Sequence, residues 1–234
     1  MNSLTFLSDT NQPFPDTSLA LDEPNGLLAI GGSLSTERLL SAYWNGIFPW
    51  FNQEDPVLWW SPDPRAVIIP GQLHISRSLS KFIRKSLWTI SINKSFSQVI
   101  KQCAKLREKH QGTWITDEIQ QAYINLHEIG QAHSLEVWEG EELIGGLYGV
   151  SVGRVFCGES MFHTRTNASK VAMYELDKHL QSNNFALIDV QLMNPHLKSL
   201  GAKTINRNHF IKLLSQLKSL HPNNNCWQPK ILDE

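Results

Sequence analysis

Three apolar-rich segments, Ser134 to Trp138, Leu143 to Val150 and Arg154 to Phe162, follow one another with only short glycine-bearing breaks between them. Glu139-Gly140-Glu141 and Ser151-Val152-Gly153 have the length and composition of tight turns. Breaks so short hold no crossover helix, so neighbouring segments pair as an antiparallel meander. This is the tightest constraint the chain places on its own fold, and the remaining elements must pack around it.

After Arg65 the pattern predicts a strand (Ala66 to Ile69), a short helix, a strand (Trp88 to Ile92) and a helix from Phe96 to Leu106. A second helix follows Thr116, carries Ile119, Ala122, Tyr123 and Leu126 on one face, and stops at Gly130. Beyond the meander, Asn167 is placed to cap a helix reaching about Leu180, then come a strand (Ala186 to Gln191) and a helix around His209 to Leu217. The N-terminal part predicts a strand at Leu27 to Ile30, and a helix capped by Ser35 that runs through Tyr43 to Gly46. Aromatic, proline-punctuated stretches at Ile47 to Phe51 and Leu58 to Arg65 read as loop. Such an order predicts an α+β (α/β) fold with a mixed sheet. A composition shift near Asp63 predicts a small domain over 1–63 and a larger one over 64–234.

Net charge is -1, which on its face excludes a nucleic-acid partner. The total hides a strong asymmetry. Residues 1–64 sum to -7, residues 65–110 to +9 and residues 111–234 to -3. Within the cationic stretch, Arg77, Lys81, Arg84 and Lys85 share one arc of a helix, roughly 80° wide at 100° per residue, with Leu79, Phe82 and Ile83 opposite. Four cations with no carboxylate in the helix make a surface suited to phosphates, the alternative being a solvated basic face.

The three cysteines are isolated and the histidines show no HxxxH or HExxH spacing, so neither a disulfide framework nor a metal site is expected. No charged leader and no apolar run of about 20 residues is present, so the expected setting is the cytoplasm, without a membrane partner.

Among the eight tryptophans, Trp50 and Trp114 stand in loops where a buried indole would need a partner for its N–H, and an exposed one offers a stacking face to a base. Glu159, among Phe156, Met161 and Phe162, reads as an anion placed for a cationic substrate group or as a structural ion-pair acid. Asp189 and Gln191 fall two apart in a strand and are expected on one face, near Asn194 and His196 in the following loop. Gly158-Glu159-Ser160 lacks the second glycine of a nucleophile elbow.

These pieces occur within longer strings. Glu23-Pro24-Asn25-Gly26-Leu27-Leu28, Gly46-Ile47-Phe48-Pro49-Trp50-Phe51, Trp59-Trp60-Ser61-Pro62-Asp63-Pro64-Arg65, Leu73-His74-Ile75-Ser76-Arg77-Ser78, Gly112-Thr113-Trp114-Ile115-Thr116, Gly158-Glu159-Ser160-Met161-Phe162 and Ser199-Leu200-Gly201-Ala202 appear in this order over nearly the whole chain. In them the chain resembles the leucyl/phenylalanyl-tRNA–protein transferases. The resemblance implies transfer of leucine or phenylalanine, and also methionine, from aminoacyl-tRNA to the α-amine of a protein beginning with Arg or Lys, with no cofactor. It implies a small N-terminal domain joined to one like the acyl-CoA N-acyltransferases (GNAT-type).

By matching position, the resemblance assigns Trp50 and Trp114 to the terminal adenosine and Leu147, Phe156 and Met161 to the aminoacyl pocket. It assigns Glu159 to the acceptor peptide, Asp189 and Gln191 to catalysis, and Arg77, Lys81, Arg84 and Lys85 to the tRNA. Leu147 replaces a methionine of similar volume found in a family member. The acyl-CoA pyrophosphate loop would fall at Arg165-Thr166-Asn167-Ala168-Ser169-Lys170, where both glycine positions are lost. An acyl-CoA-dependent N-acetyltransferase and a non-catalytic RNA-binding module are the other classes the residues allow.

Overall fold

The computed structural model describes residues 4–8, 12–111 and 113–232. Its N-terminal part holds β1 (Thr5–Leu7), β2 (Leu27–Gly31), α1 (Thr36–Trp44), β3 (Phe48–Pro49) and β4 (Leu58–Trp60). There follow β5 (Arg65–Ile68), α2 (Arg77–Ile83), β6 (Thr89–Ile92), α3 (Phe96–Gln111) and α4 (Asp117–Glu128). The meander is β7 (Ala132–Glu139), β8 (Glu142–Val152) and β9 (Val155–His163). After it come α5 (Ala168–Ser182), β10 (Leu187–Gln191), α6 (Pro195–Ser199), β11 (Lys203–Ile205), α7 (Arg207–Leu217) and β12 (Lys230–Leu232).

The fold is α+β. Its larger sheet has the order β11-β5-β10-β9-β8-β7-β6-β12, and a smaller one runs β1-β2-β4-β3. In the larger sheet β10 lies parallel to β9 and antiparallel to β5, so the sheet is mixed, as the sequence order predicts. The aromatic stretches read as loop contain β3 and β4, whose prolines and brevity hide the pairing of Phe48 with Trp60 and Pro49 with Trp59.

Helices cover both faces of the meander. Leu147 packs in a cluster with Val171 and Leu176 of α5, whereas Tyr148 and Val150 join one with Phe96, Val99 and Ile100 of α3. Gly145 is where α5 comes closest, since a Cβ there would sit 2.7 Å from the Ala168 Cβ. The expected caps are in place at Ser35, which accepts from Arg38 N at 3.3 Å, and Thr116, which accepts from Ile119 N at 3.3 Å. Asn167 precedes α5 differently. It takes a left-handed φ of 73° and makes no side-chain capping bond, so it serves as a turn residue that asparagine tolerates.

The apolar core is continuous between the N-terminal elements and the larger sheet. Leu39, Ala42 and Tyr43 of α1 belong to the same buried cluster as Ile119, Tyr123 and Tyr148.

Candidate active site

A cavity of about 390 Å3 opens beside β9 and β10, within the ~300–1,000 Å3 common for small-molecule sites. Leu147, Phe156 and Met161 line it together with Met173, Leu176, Ile188 and Leu197, which form an apolar wall. Trp50 and Trp114 stand at the same cavity. Trp50 is 44% exposed, its ring edge-on to Trp60 at 5.7 Å, while Trp114 is half-buried. Exposure alone would not have selected Trp50, because Trp44 is equally exposed and lines a different groove.

The polar end of the cavity is made by two bulges. β8 and β9 pair Tyr148 with Ser160 and Gly149 with Gly158, which leaves Glu159 as the extra residue on its strand. On β10, Asp189 pairs with Val67 and Gln191 with Ala66, so Val190 is extra and Gln191 adopts a φ of 55°. The second bulge overturns the expectation that Asp189 and Gln191 share a face. Gln191 lines the cavity, whereas Asp189 is fully buried and is not part of its lining. Both Asp189 oxygens are held by Arg65, from Nε at 2.8 Å and Nη2 at 2.7 Å, and Oδ1 also accepts from Gln191 N at 3.1 Å. Arg65 in turn lies between the rings of Phe48 and Phe210, at 4.9 and 4.5 Å. Asp189 thus shapes the backbone that presents Gln191.

Glu159 is half-buried and forms no ion pair among the described residues. Its Oε2 accepts from Tyr123 Oη at 3.2 Å and its Oε1 from Gln191 Nε2 at 3.4 Å. The Tyr123 hydroxyl is also bonded to that of Tyr43 on α1. Tyr43 also hydrogen-bonds the Glu159 carboxyl, so the two phenols and the carboxyl form one group. Burial pushes the Glu159 carboxyl up to about 7, the Asp189 charge adding to the rise while Tyr43, Tyr123 and Arg65 oppose it. Burial also holds both phenols well above their ordinary range, so they act as donors.

Sequence reasoning missed Tyr43, Tyr123 and Arg65 as site residues. A hydroxyl on an apolar helix face requires a partner when buried, which is the signal the tyrosines carried. Asn194 and His196, flagged after the strand, do line the cavity, and Asn194 also caps α6 by accepting from Leu197 N at 2.8 Å.

The basic cluster lies on α2, capped by Ser76, with Leu79 buried and Phe82 edge-on to Trp88 at 5.0 Å. Arg77, Lys81, Arg84 and Lys85 are all exposed and form no ion pair among the described residues. The helix ends at Ile83, so Lys85 lies just past it. In the loop aligned with the pyrophosphate site, Arg165 is drawn aside by Glu139 and Glu142, at 3.3 and 3.0 Å. Gly112 lies outside the described residues. Among those residues no group of three or more His, Cys, Asp or Glu is placed to hold a metal ion, and no helix is long and apolar enough to cross a membrane.

Ser160 in the cavity is bonded to Arg107 Nε at 3.0 Å, a donor that cannot serve it as a base. The cleft thus joins an apolar wall to a carboxyl and an amide, with Ser160 not set up as a nucleophile, and the chain is an aminoacyltransferase by the family it matches. Residues 67–215 match the family described as leucyl/phenylalanyl-tRNA protein transferase, and residues 32–63 match that family's N-terminal domain. The chain belongs to this family. A leucyl/phenylalanyl-tRNA–protein transferase of Shewanella baltica (strain OS195) is 64% identical over 94% of this chain and 92% of its own. Another from Shewanella baltica (strain OS155 / ATCC BAA-1091) is 61% identical over 98% of this chain and 97% of its own. One from Shewanella piezotolerans is 60% identical over 97% and 96%. Among solved structures, L-PGS from Bacillus licheniformis superposes with a TM-score of 0.40 and 12% identity over 71% of this chain and 53% of that one, too loosely to inform the site.

Proposed function

We propose that the chain moves leucine, phenylalanine or methionine from its tRNA to the α-amine of a protein beginning with Arg or Lys, forming a peptide bond and an N-degron in the cytoplasm. The observation that carries this reading is Glu159, a carboxyl beside an apolar pocket and in contact with Gln191. The domains divide at residues 63 and 64, the larger one resembling the acyl-CoA N-acyltransferases. Trp50 and Trp114 stack on the terminal adenosine, and Leu147, Phe156 and Met161 receive the aminoacyl side chain. Arg77, Lys81, Arg84 and Lys85 hold the tRNA by its phosphates.

The chemistry asks little of the protein. An aminoacyl ester is already activated, and an α-amine with a pKa of about 7.7–8.0 is partly neutral at pH 7. Glu159 draws in the cationic end of the acceptor. With Gln191 Nε2 turned to Glu159, its Oε1 is the atom left to accept from the attacking amine. The amine nitrogen bonds to the ester carbonyl carbon, the carbon–oxygen bond to the ribose breaks, and the ribose oxygen leaves with the proton. Asp189 is a positioning residue here, acting through the Gln191 backbone. Labelled leucine should pass from charged tRNA to an Arg-initiated peptide, with an RNase-treated control. No transfer with intact charged tRNA would refute the reading.

A further inference from the structure

Arg107, on α3, has no part in the roles given above. Its side chain is exposed, lines the cavity and lies beside Trp114, with Cζ 5.9 Å from the ring centre. Nε donates to Ser160 Oγ at 3.0 Å, which fixes the guanidinium on β9 immediately beside Glu159 in sequence. No carboxylate among the described residues forms an ion pair with it. A guanidinium has five N–H donors, and the Ser160 bond uses one, so the two terminal nitrogens remain for a ligand.

The charge at this spot selects among the substrate's parts. The acceptor's N-terminus is cationic and is repelled by Arg107. The aminoacyl carboxyl is esterified and the adenosine is neutral. What remains anionic at the end of the donor is its phosphodiester. We infer that Arg107 binds the 5′-phosphate of the donor's terminal adenosine while the base of that nucleotide lies on Trp114. The scale agrees, since base and phosphate hang from one sugar and Arg107 and Trp114 are in ring-to-cation contact. Adjacent residues of β9 then sort the substrates by charge, Ser160 fixing the cation that meets the donor and Glu159 meeting the acceptor. This rests on the proposed use of aminoacyl-tRNA, and it concerns a phosphate separate from those assigned to α2.

The test compares phenylalanyl-adenosine with phenylalanyl-adenosine 5′-monophosphate as donors to an Arg-initiated peptide, for wild type, Arg107→Gln and Arg107→Lys. Wild type should show a KM roughly ten- to hundredfold lower for the phosphorylated donor, the worth of hydrogen bonds to a charged group. In Arg107→Gln that ratio should fall to near one, whatever the variant's KM for the unphosphorylated donor, and Arg107→Lys should keep part of it. A merely structural role through Trp114 would weaken both donors equally and would overturn the inference. So would an undiminished phosphate preference in Arg107→Gln. Failure of the wild type to use even charged tRNA would overturn the underlying reading, and this one with it.

Discussion

Arg65 and Asp189 meet in a two-bonded pair, at 2.7 and 2.8 Å, where neither residue is more than 1% exposed. Each charge is tolerable only because of the other. Removing one partner of such a pair costs about 3–5 kcal/mol, whereas replacing both by apolar groups is often neutral. Asp189→Asn is therefore expected to lower the melting temperature by roughly 6–20 °C for a chain of this size, and to depress transfer. Combining Arg65→Met with Asp189→Leu should recover much of the melting temperature and leave transfer low, because Gln191 N has lost its acceptor. Full recovery of activity in the double variant would remove Asp189 from the positioning of Gln191.

Glu159 couples activity and stability to pH with opposite signs. Its folded pKa, about 7, lies above the ordinary 4.5, so the folded state disfavours the anion. Its contribution to stability is most favourable below pH 4.5 and declines as pH rises towards 7. Glu159→Gln lacks this titration, so its melting temperature should gain on that of the wild type between about pH 5 and 8. Transfer by the wild type should fall as pH drops through about 7, and the variant should be weak throughout. A melting-temperature difference that does not change with pH would show that the carboxyl is not raised.

The tryptophans separate by role. Trp50→Ala and Trp114→Ala should each raise KM for the donor by an amount equivalent to about 1–3 kcal/mol of stacking. For Trp50, little change in melting temperature is expected because the ring is 44% exposed. Trp59, fully buried with Nε1 bonded to Gly31 O at 2.8 Å, should show the reverse, a large loss of stability on substitution by alanine. Donor titrations beside thermal melts check both.

Neutralising α2 should act through salt. Lys81→Gln with Arg84→Gln is expected to weaken tRNA binding similarly for donors of different body sequence. It should flatten the dependence of log K on log salt by roughly 0.7–0.9 for each phosphate that the helix no longer neutralises. A slope equal to wild type, measured between about 50 and 200 mM salt, would move the docking surface elsewhere.

Much of the fold is legible in the sequence because its signals are local. Turn glycines fix the meander, and Ser35 and Thr116 mark helix starts by a chemistry confined to one turn. The site is less legible because it depends on exceptions to periodicity. An extra residue at Glu159 and another at Val190 leave no local mark, yet each decides which neighbouring side chains reach the cavity. Tyr43 and Tyr123 look like ordinary members of apolar helix faces until the two hydroxyls are brought together. Arg107 is concealed by its company, one cation in a stretch of ten.

The Tyr43 hydroxyl that meets Tyr123 and Glu159 comes from α1, while the carboxyl comes from β9. Heredity and engineering meet the same restriction here. A chimera that takes its first 63 residues from one relative and the remainder from another divides this hydrogen-bonded group between two parents. The N-terminal segment thus bears on both sides of the reaction, reaching the Glu159 carboxyl through Tyr43 and the cavity through Trp50.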